Sequence, residues 1–299
     1  MTEPPVHPSR LVFLGTPEAA VPPLRGLVED GWPIDLVVSR PDKRRGRNKP
    51  PEPSPVKATA LELGLPVTDR LEDVRQSDAD LGVVVAYGRI IPAELLDRLP
   101  MVNVHFSLLP RWRGAAPVER AILAGDETTG VCVMQVAPEL DAGAVYSRAT
   151  VAVGKGPVSD LRERLVAEGT DLLVRTLRDG LSASMPQEGE VTYADKIEAE
   201  DLHLDWLRPA AELLRVIRLE RAWTTFRGDR LRVLAATDDN DVDPAPGVLA
   251  GPVVGTGDGA LHLDLVQPAG RGAMGGADWA NGARLAEGDH LGDGGAHDG

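Results

Sequence analysis

Cysteine is all but missing from this 299-residue chain, where Cys132 stands alone. One thiol excludes an internal disulfide and a thiolate-rich zinc site. Its surroundings, Gly130-Val131-Cys132-Val133-Met134, read as a buried strand, so an inert core thiol is expected and not a nucleophile. The six histidines lie far apart and form no paired-ligand motif, so no metal is expected. No apolar run approaches the ~20 residues of a membrane-spanning helix, and Met1-Thr2-Glu3-Pro4-Pro5 lacks the basic and apolar regions of a secretory signal. The expectation is a cytoplasmic protein with no membrane partner. At the first strand-to-helix turn the Gly-x-Gly-x-x-Gly fingerprint is absent, and Pro17 removes an amide that a phosphate would use, which argues against dinucleotide binding.

Positive charge is also in deficit, with a formal net charge of −14, which on its face excludes a polyanionic partner. Its distribution answers the objection. Residues 40–49 hold six Lys or Arg against Asp42 alone, and residues 208–232 hold seven Arg against Glu212, Glu220 and Asp229. From Thr237 onward eleven acids face only Arg271 and Arg284. The charge is polarised, although such runs are more often simply solvated faces.

What is present is ordinary globular composition, 42% hydrophobic and 26% charged, with length enough for two domains. Residues 1–9 are polar and proline-rich and are expected to be disordered. Leu11-Val12-Phe13-Leu14, closed by Gly15, predicts a strand, with Thr16 as N-cap and Pro17 opening the next helix. Strands are predicted at 34–38 and 81–87, and a helix resumes near Pro55 after the basic stretch. Helices at 93–96, 117–123 and 159–177 and strands at 131–136 and 145–153 follow. Residues 182–205 show no sustained period and predict a linker. Beyond it come a helix at 209–217 and short strands at 231–234, 247–249 and 261–265 with glycine-rich turns, the pattern of a compact barrel. Gly255-Thr256-Gly257-Asp258-Gly259 lies between strands and reads as a hairpin turn. The resulting division is a catalytic α/β domain at 10–183, a linker at 184–207, a β domain at 208–292 and a frayed tail at 293–299.

One stretch concentrates chemistry: Asn103-Val104-His105-Phe106-Ser107-Leu108-Leu109-Pro110, continued by Arg111-Trp112-Arg113-Gly114. On a strand, Asn103 and His105 project from one face while Val102, Val104 and Phe106 project from the other. Ser107, Pro110 and Gly114 then end the strand, which places the polar pair at a carboxyl end, where open α/β sheets bind ligands. A lone Asp such as Asp141, in a turn at 137–143, is more often a cap or turn residue.

That octapeptide, with Glu139-Leu140-Asp141-Ala142-Gly143, resembles the signature of the folate-dependent formyltransferases. Phe13-Leu14-Gly15-Thr16-Pro17-Glu18, Pro53-Ser54-Pro55-Val56-Lys57, Val84-Val85-Ala86-Tyr87-Gly88 and Trp223-Thr224-Thr225-Phe226-Arg227-Gly228 extend the resemblance over roughly 9–292, and point within the family to the tRNA formyltransferases. The resemblance implies a Rossmann-like domain with a mostly parallel sheet, followed by a small OB-like barrel that binds tRNA. It also implies 10-formyltetrahydrofolate as formyl donor, initiator methionyl-tRNA as acceptor, a monomer, and a role in translation initiation. Ser107, Leu108, Leu109 and Pro110 match the folate-contacting segment, and the pterin is expected against the Tyr87-Gly88 corner, which by itself reads equally as a turn. Arg47 matches an arginine of the family's tRNA-contacting loop, with Lys43, Arg44, Arg45 and Lys49 adding phosphate attraction. The segment 218–223 is shorter than the family's Pro-Gly turn, which bears on which arginines reach RNA and not on the active site.

Moving a formyl group to an amine places negative charge on the formyl oxygen and requires a proton to leave nitrogen. Asn103 and protonated His105 are expected at the oxyanion, with Asp141 orienting the ring and taking the proton. A glycinamide ribonucleotide or amino-sugar formyltransferase, a formyl-folate hydrolase and a non-catalytic RNA-binding protein remain rival readings. The basic loop and the WTTF segment favour tRNA.

Overall fold

The computed structural model describes residues 2–44, 50–239, 241–242, 244–286 and 288–292. They form two compact units, the first from Met1–Val118, Glu127–Gly154 and Asp160–Asp195, the second from the remainder. Among the described residues no helix is long and apolar enough to cross a membrane.

The first unit is built on a seven-stranded sheet. Its strands are β1 (Leu11–Gly15), β2 (Ile34–Val38), β3 (Val67–Thr68), β4 (Leu81–Val85), β5 (Met101–His105), β6 (Thr128–Gln135) and β7 (Val145–Ala152). They lie in the order β7-β6-β5-β4-β1-β2-β3, parallel from β3 to β5, with β6 and β7 added antiparallel. All five residues of β1 and of β4 are buried, which their unbroken apolar runs anticipate for strands covered on both faces. The chain reverses its direction of travel across the sheet between β1 and β4, the position at which such sheets open a crevice at their carboxyl ends.

Helices α1 (Val21–Glu29), α2 (Pro55–Glu62) and α3 (Ala93–Arg98) belong to this unit, α4 (Pro117–Ala124) begins in it, and α5 (Val158–Asp179) lies in it from Asp160 onward. Ser54 caps α2 by accepting from Lys57 N at 3.0 Å. Gly169 lets α5 close on the sheet: a Cβ there would stand 3.2 Å from methyls of Val104 and Val131. The apolar face of β5 is therefore the helix-covered one, and Asn103 and His105 look the other way.

Three expectations are corrected. Thr16 does not cap a helix; its hydroxyl donates to the Tyr87 carbonyl at 3.3 Å, and the helical turn starts only at Glu18. Residues 2–9 are tied down, with Val6 O accepting from Leu181 N at 2.7 Å and Asp80 gathering Ser9 and Arg10. The expected linker is in part a piece of the first unit: Met185 exchanges backbone hydrogen bonds with Val145, and Tyr193–Ala194 pairs in parallel with Arg113–Gly114. Backbone groups along both segments need partners wherever they are shielded from water, and proximity to strand edges supplies them.

The second unit is antiparallel. Strands β8 (Trp223–Phe226), β9 (Asp229–Asp239), β10 (Leu249–Ala250), β11 (Val253–Gly255) and β12 (Ala260–Pro268) run in the order β8-β9-β12-β11-β10, and β13 (Met274–Gly275) pairs with β12. Helices α6 (Ala210–Ile217) and α7 (Gly276–Ala283) close on a core that includes Trp206, Leu213, Val233, Leu263 and Trp279. The turn at Gly255–Gly259 is the hairpin connection read from sequence, with Thr256 N donating to Gly259 O at 2.9 Å. Helix α7 was not legible, because GADWANGA offers only Trp279 as a large apolar residue. The tail at 293–299 lies outside the described residues.

Asp80 holds the N-terminal strap. Burial works against its charge, but the N–H of Arg10 and the hydroxyl and N–H of Ser9 outweigh it, so its pKa is lowered from the ordinary carboxylate value. A carboxylate with a lowered folded pKa contributes stability that is complete above its unfolded value, near 4, and is lost as pH falls through the folded one. Asp80→Ala is expected to lower the unfolding free energy by about 1 to 3 kcal/mol at pH 7, a gap that narrows below about pH 4, measured by urea unfolding at both pH values.

Candidate active site

Strand β5 sets the site. Asn103 pairs across to Met134 and His105 to Cys132, so these four side chains share one face. Beneath the site on that face, Leu109, Cys132, Met134 and Val145 form a small buried cluster. Burial raises the pKa of the Cys132 thiol above its ordinary value, in keeping with an inert core residue.

Asp141 reaches this face by an indirect route. Because β6 runs antiparallel to β5, its last residue, Gln135, pairs with Val102, about 10 Å along the strand from His105. The loop after Gln135 therefore doubles back over the sheet, closed at its base by Gln135 N donating to Ala144 O at 2.8 Å. Gly143 permits the fold-back: a Cβ there would lie 1.8 Å from the Gln135 carbonyl oxygen. At the tip Asp141 takes a left-handed backbone, φ 46°, uncommon for a residue with a side chain.

The two side chains meet. His105 Nδ1 lies 3.6 Å from Asp141 Oδ2, an ion-pair separation just beyond hydrogen bonding. Asp141 Oδ2 is fixed by the backbone, accepting from Gly114 N at 2.8 Å. His105 Nε2 lies 2.9 Å from the Trp112 carbonyl. A carbonyl only accepts, so the ring hydrogen on this side belongs to Nε2, and Nδ1 is the nitrogen turned to the carboxylate. Ring orientation, expected of Asp141, thus comes from Trp112, whose own left-handed backbone, φ 64°, aims the carbonyl inward. Asn103 is half-buried on the same face, and among the described residues its amide has no hydrogen-bond partner.

The remaining sequence candidates fall into three groups. Ser107 is fully buried and its hydroxyl donates to Arg111 O at 2.6 Å, so it shapes the turn; Leu109 and Pro110 are buried with it, and Leu108 is half-exposed. Tyr87 turns its side chain into the core, leaving the backbone of exposed Ala86 (φ 46°) and Gly88 (φ 69°) outward at the end of β4. Arg40 covers the Gly88 carbonyl with its guanidinium. Lys43 and Arg44 are exposed on a two-residue ribbon paired with Pro51–Glu52, whereas Arg45, Arg47 and Lys49 lie outside the described residues. Among the described residues no cluster of three or more His, Cys, Asp or Glu is placed to hold a metal ion.

Sequence reasoning passed over Gln187, whose side chain binds the carbonyls of Asp141 and Gly143, and Thr192, whose hydroxyl accepts from Trp112 N at 2.9 Å. Both sit in the stretch without period. Nor does any residue type announce that the Trp112 carbonyl and the Gly114 amide carry the pair.

A polarised imidazole beside a carboxylate and an amide, at the carboxyl end of a central strand, is equipped for acyl transfer to an amine. Residues 9–177 match the family described as formyl transferase, and residues 196–284 match the formyl transferase C-terminal domain. The chain belongs to the formyltransferase family, and within it to the methionyl-tRNA formyltransferases. It is 44% identical to the methionyl-tRNA formyltransferase of Streptomyces coelicolor over 95% of this chain and 100% of that one, and 41% identical to that of Methylococcus capsulatus over 95% and 99%. Solved structures share the fold at lower identity. An N-formyltransferase from Helicobacter canadensis, in complex with folinic acid and dTDP-3-aminofucose, gives a TM-score of 0.67 at 14% identity, over 86% of this chain and 98% of that one. A methionyl-tRNA formyltransferase from Clostridium thermocellum gives 0.55 at 14%, over 78% and 95%.

Gly143→Ala forces a methyl group onto the Gln135 carbonyl and is expected to cost about 1 to 3 kcal/mol of stability, read from the urea midpoint. It should also lower turnover, because the displaced tip carries Asp141 away from His105.

Proposed function

We propose that the protein transfers the formyl group of 10-formyltetrahydrofolate to the α-amino group of methionyl-initiator tRNA, directly and through a tetrahedral intermediate, as a monomer acting in the cytoplasm in translation initiation. The observation that carries the reading is the approach of His105 Nδ1 to Asp141 Oδ2, 3.6 Å, beside Asn103 on one sheet face. Family membership and relatives matched along nearly their whole length supply the substrates.

The folate supplies an activated formyl group. Fit to it is supported by the exposed residues Ala86 and Gly88 at the end of β4, and by half-exposed Leu108 over the buried Ser107-Leu109-Pro110 turn. As the amine adds to the formyl carbon, charge builds on the formyl oxygen. The Asn103 amide and the Nδ1 side of His105 are the donors turned to it, prearranged and shielded from water. Asp141 takes the proton from the amine, directly or through a water molecule; as the intermediate collapses, the bond from the formyl carbon to the folate nitrogen breaks and that nitrogen leaves with a proton in its place. Ser107 takes no covalent part, since its hydroxyl is committed to Arg111 O.

Residues 208–292 are assigned to tRNA, together with Lys43 and Arg44 and, outside the described residues, Arg45, Arg47 and Lys49. These cations offset the overall negative charge where the phosphates approach.

Labelled formyl is expected to pass from 10-formyltetrahydrofolate to initiator methionyl-tRNA far faster than to the elongator form; no transfer to either refutes the reading. His105→Ala and Asp141→Asn should each cut turnover by more than about a hundredfold while both substrates still bind. Replacing Lys43 and Arg44 together by Ala should reduce the salt slope of tRNA binding by up to about 2, leaving turnover at saturation unchanged.

A further inference from the structure

Behind the catalytic pair, Arg113 is 8% exposed, and its ion-pair partner is the exposed Glu139 at 3.5 Å. Its Nε and Nη2 donate instead to a neutral acceptor, Gln187 Oε1, at 3.0 and 2.8 Å. The amide nitrogen of Gln187 in turn donates to the carbonyls of Asp141, at 2.7 Å, and Gly143, at 2.8 Å. All four hydrogen-bonding positions of this amide are engaged, two donating and two accepting, and only one orientation serves. Reversed, its NH2 group would face a cation and its oxygen two carbonyl oxygens.

We propose that Gln187 is a positioning residue for formyl transfer, acting through Asp141, with Arg113 locking its amide. The proposal rests on the assignment of His105 and Asp141 given above. Asp141 sits in a sparsely populated backbone conformation, which persists only where the surroundings over-determine it. Gln187 grips the loop at the carbonyl of that residue and again at the carbonyl two residues on. The guanidinium presents a flat fork that fixes the plane of the amide, and its charge polarises the amide so that Nε2 donates more strongly. A buried cation thus serves the acid loop while leaving the carboxylate of Asp141 unpaired to it and available to His105.

The test uses the full-length enzyme with 10-formyltetrahydrofolate and methionyl-initiator tRNA. Gln187→Ala is expected to lower kcat by about ten- to a hundredfold, with KM for each substrate within about threefold of wild type. Gln187→Glu is the sharper variant, because it offers Arg113 a better partner while setting a carboxylate against two carbonyl oxygens. It should do no better than Gln187→Ala, whereas recovery of wild-type kcat would reduce Gln187 to a counterpart for Arg113 and overturn the proposal. In the Asp141→Asn background, Gln187→Ala should cost no more than about twofold further, since residues acting as one unit are not additive. An equal loss in both backgrounds would also overturn it. Amide exchange at residues 137–143 should quicken by at least about tenfold in Gln187→Ala without a general rise in the first unit. Unchanged exchange there would sink the clamp even if the wild-type chain proved to formylate nothing, so the two readings fail separately.

Discussion

A buried imidazole needs partners for its ring nitrogens, and meeting that need for His105 organises the surroundings of β5. One nitrogen is satisfied by a main-chain carbonyl that a left-handed residue turns inward; the other is left facing a carboxylate. From this asymmetry follow the fixed ring plane, the identity of the nitrogen turned toward the carboxylate, and the requirement that an acid be brought over the sheet from a loop anchored at the opposite end of the strand. The antiparallel addition of β6 and β7 to a parallel sheet makes that delivery possible.

Much of this was readable in the residues. Alternation along 102–106 assigned Asn103 and His105 to one face and the valines to the other, because a strand's side-chain period leaves no choice. The unbroken apolar runs at β1 and β4 announced a sheet covered on both sides. What could not be read lies where the bonding is carried by the main chain or by long-range pairing. Thr16, a reasonable cap by type, found a better acceptor in the Tyr87 carbonyl. Residues 2–9 and 185–194 have no periodic pattern of their own and are ordered by edges and carboxylates distant in sequence. Gln187 belongs to the second of these, so nothing near it in the chain announces its contact with Asp141.

The two units divide the physical work. In the first, apolar strands and helices build a sheet on whose one face Asn103 and His105 meet Asp141. In the second, antiparallel strands around Trp206 and Trp279 make a small independent core bearing most of the arginines of 208–232 on and beside its first two strands. Because screening limits each charge's reach to about 8 to 10 Å in physiological salt, the net negative charge of the chain does not decide what a local group of arginines meets.

The contacts that seat His105 and Asp141 come from the carbonyl of residue 112 and the amide of residue 114, atoms that every amino acid except proline possesses. The side chains at 111 and 112, which stack as cation and ring, take no part in those two contacts. Evolution is left free to rewrite the rim for a different acceptor without disturbing the bond-making centre, and a fold of this kind lends itself to a lineage of enzymes with one reaction and many clients.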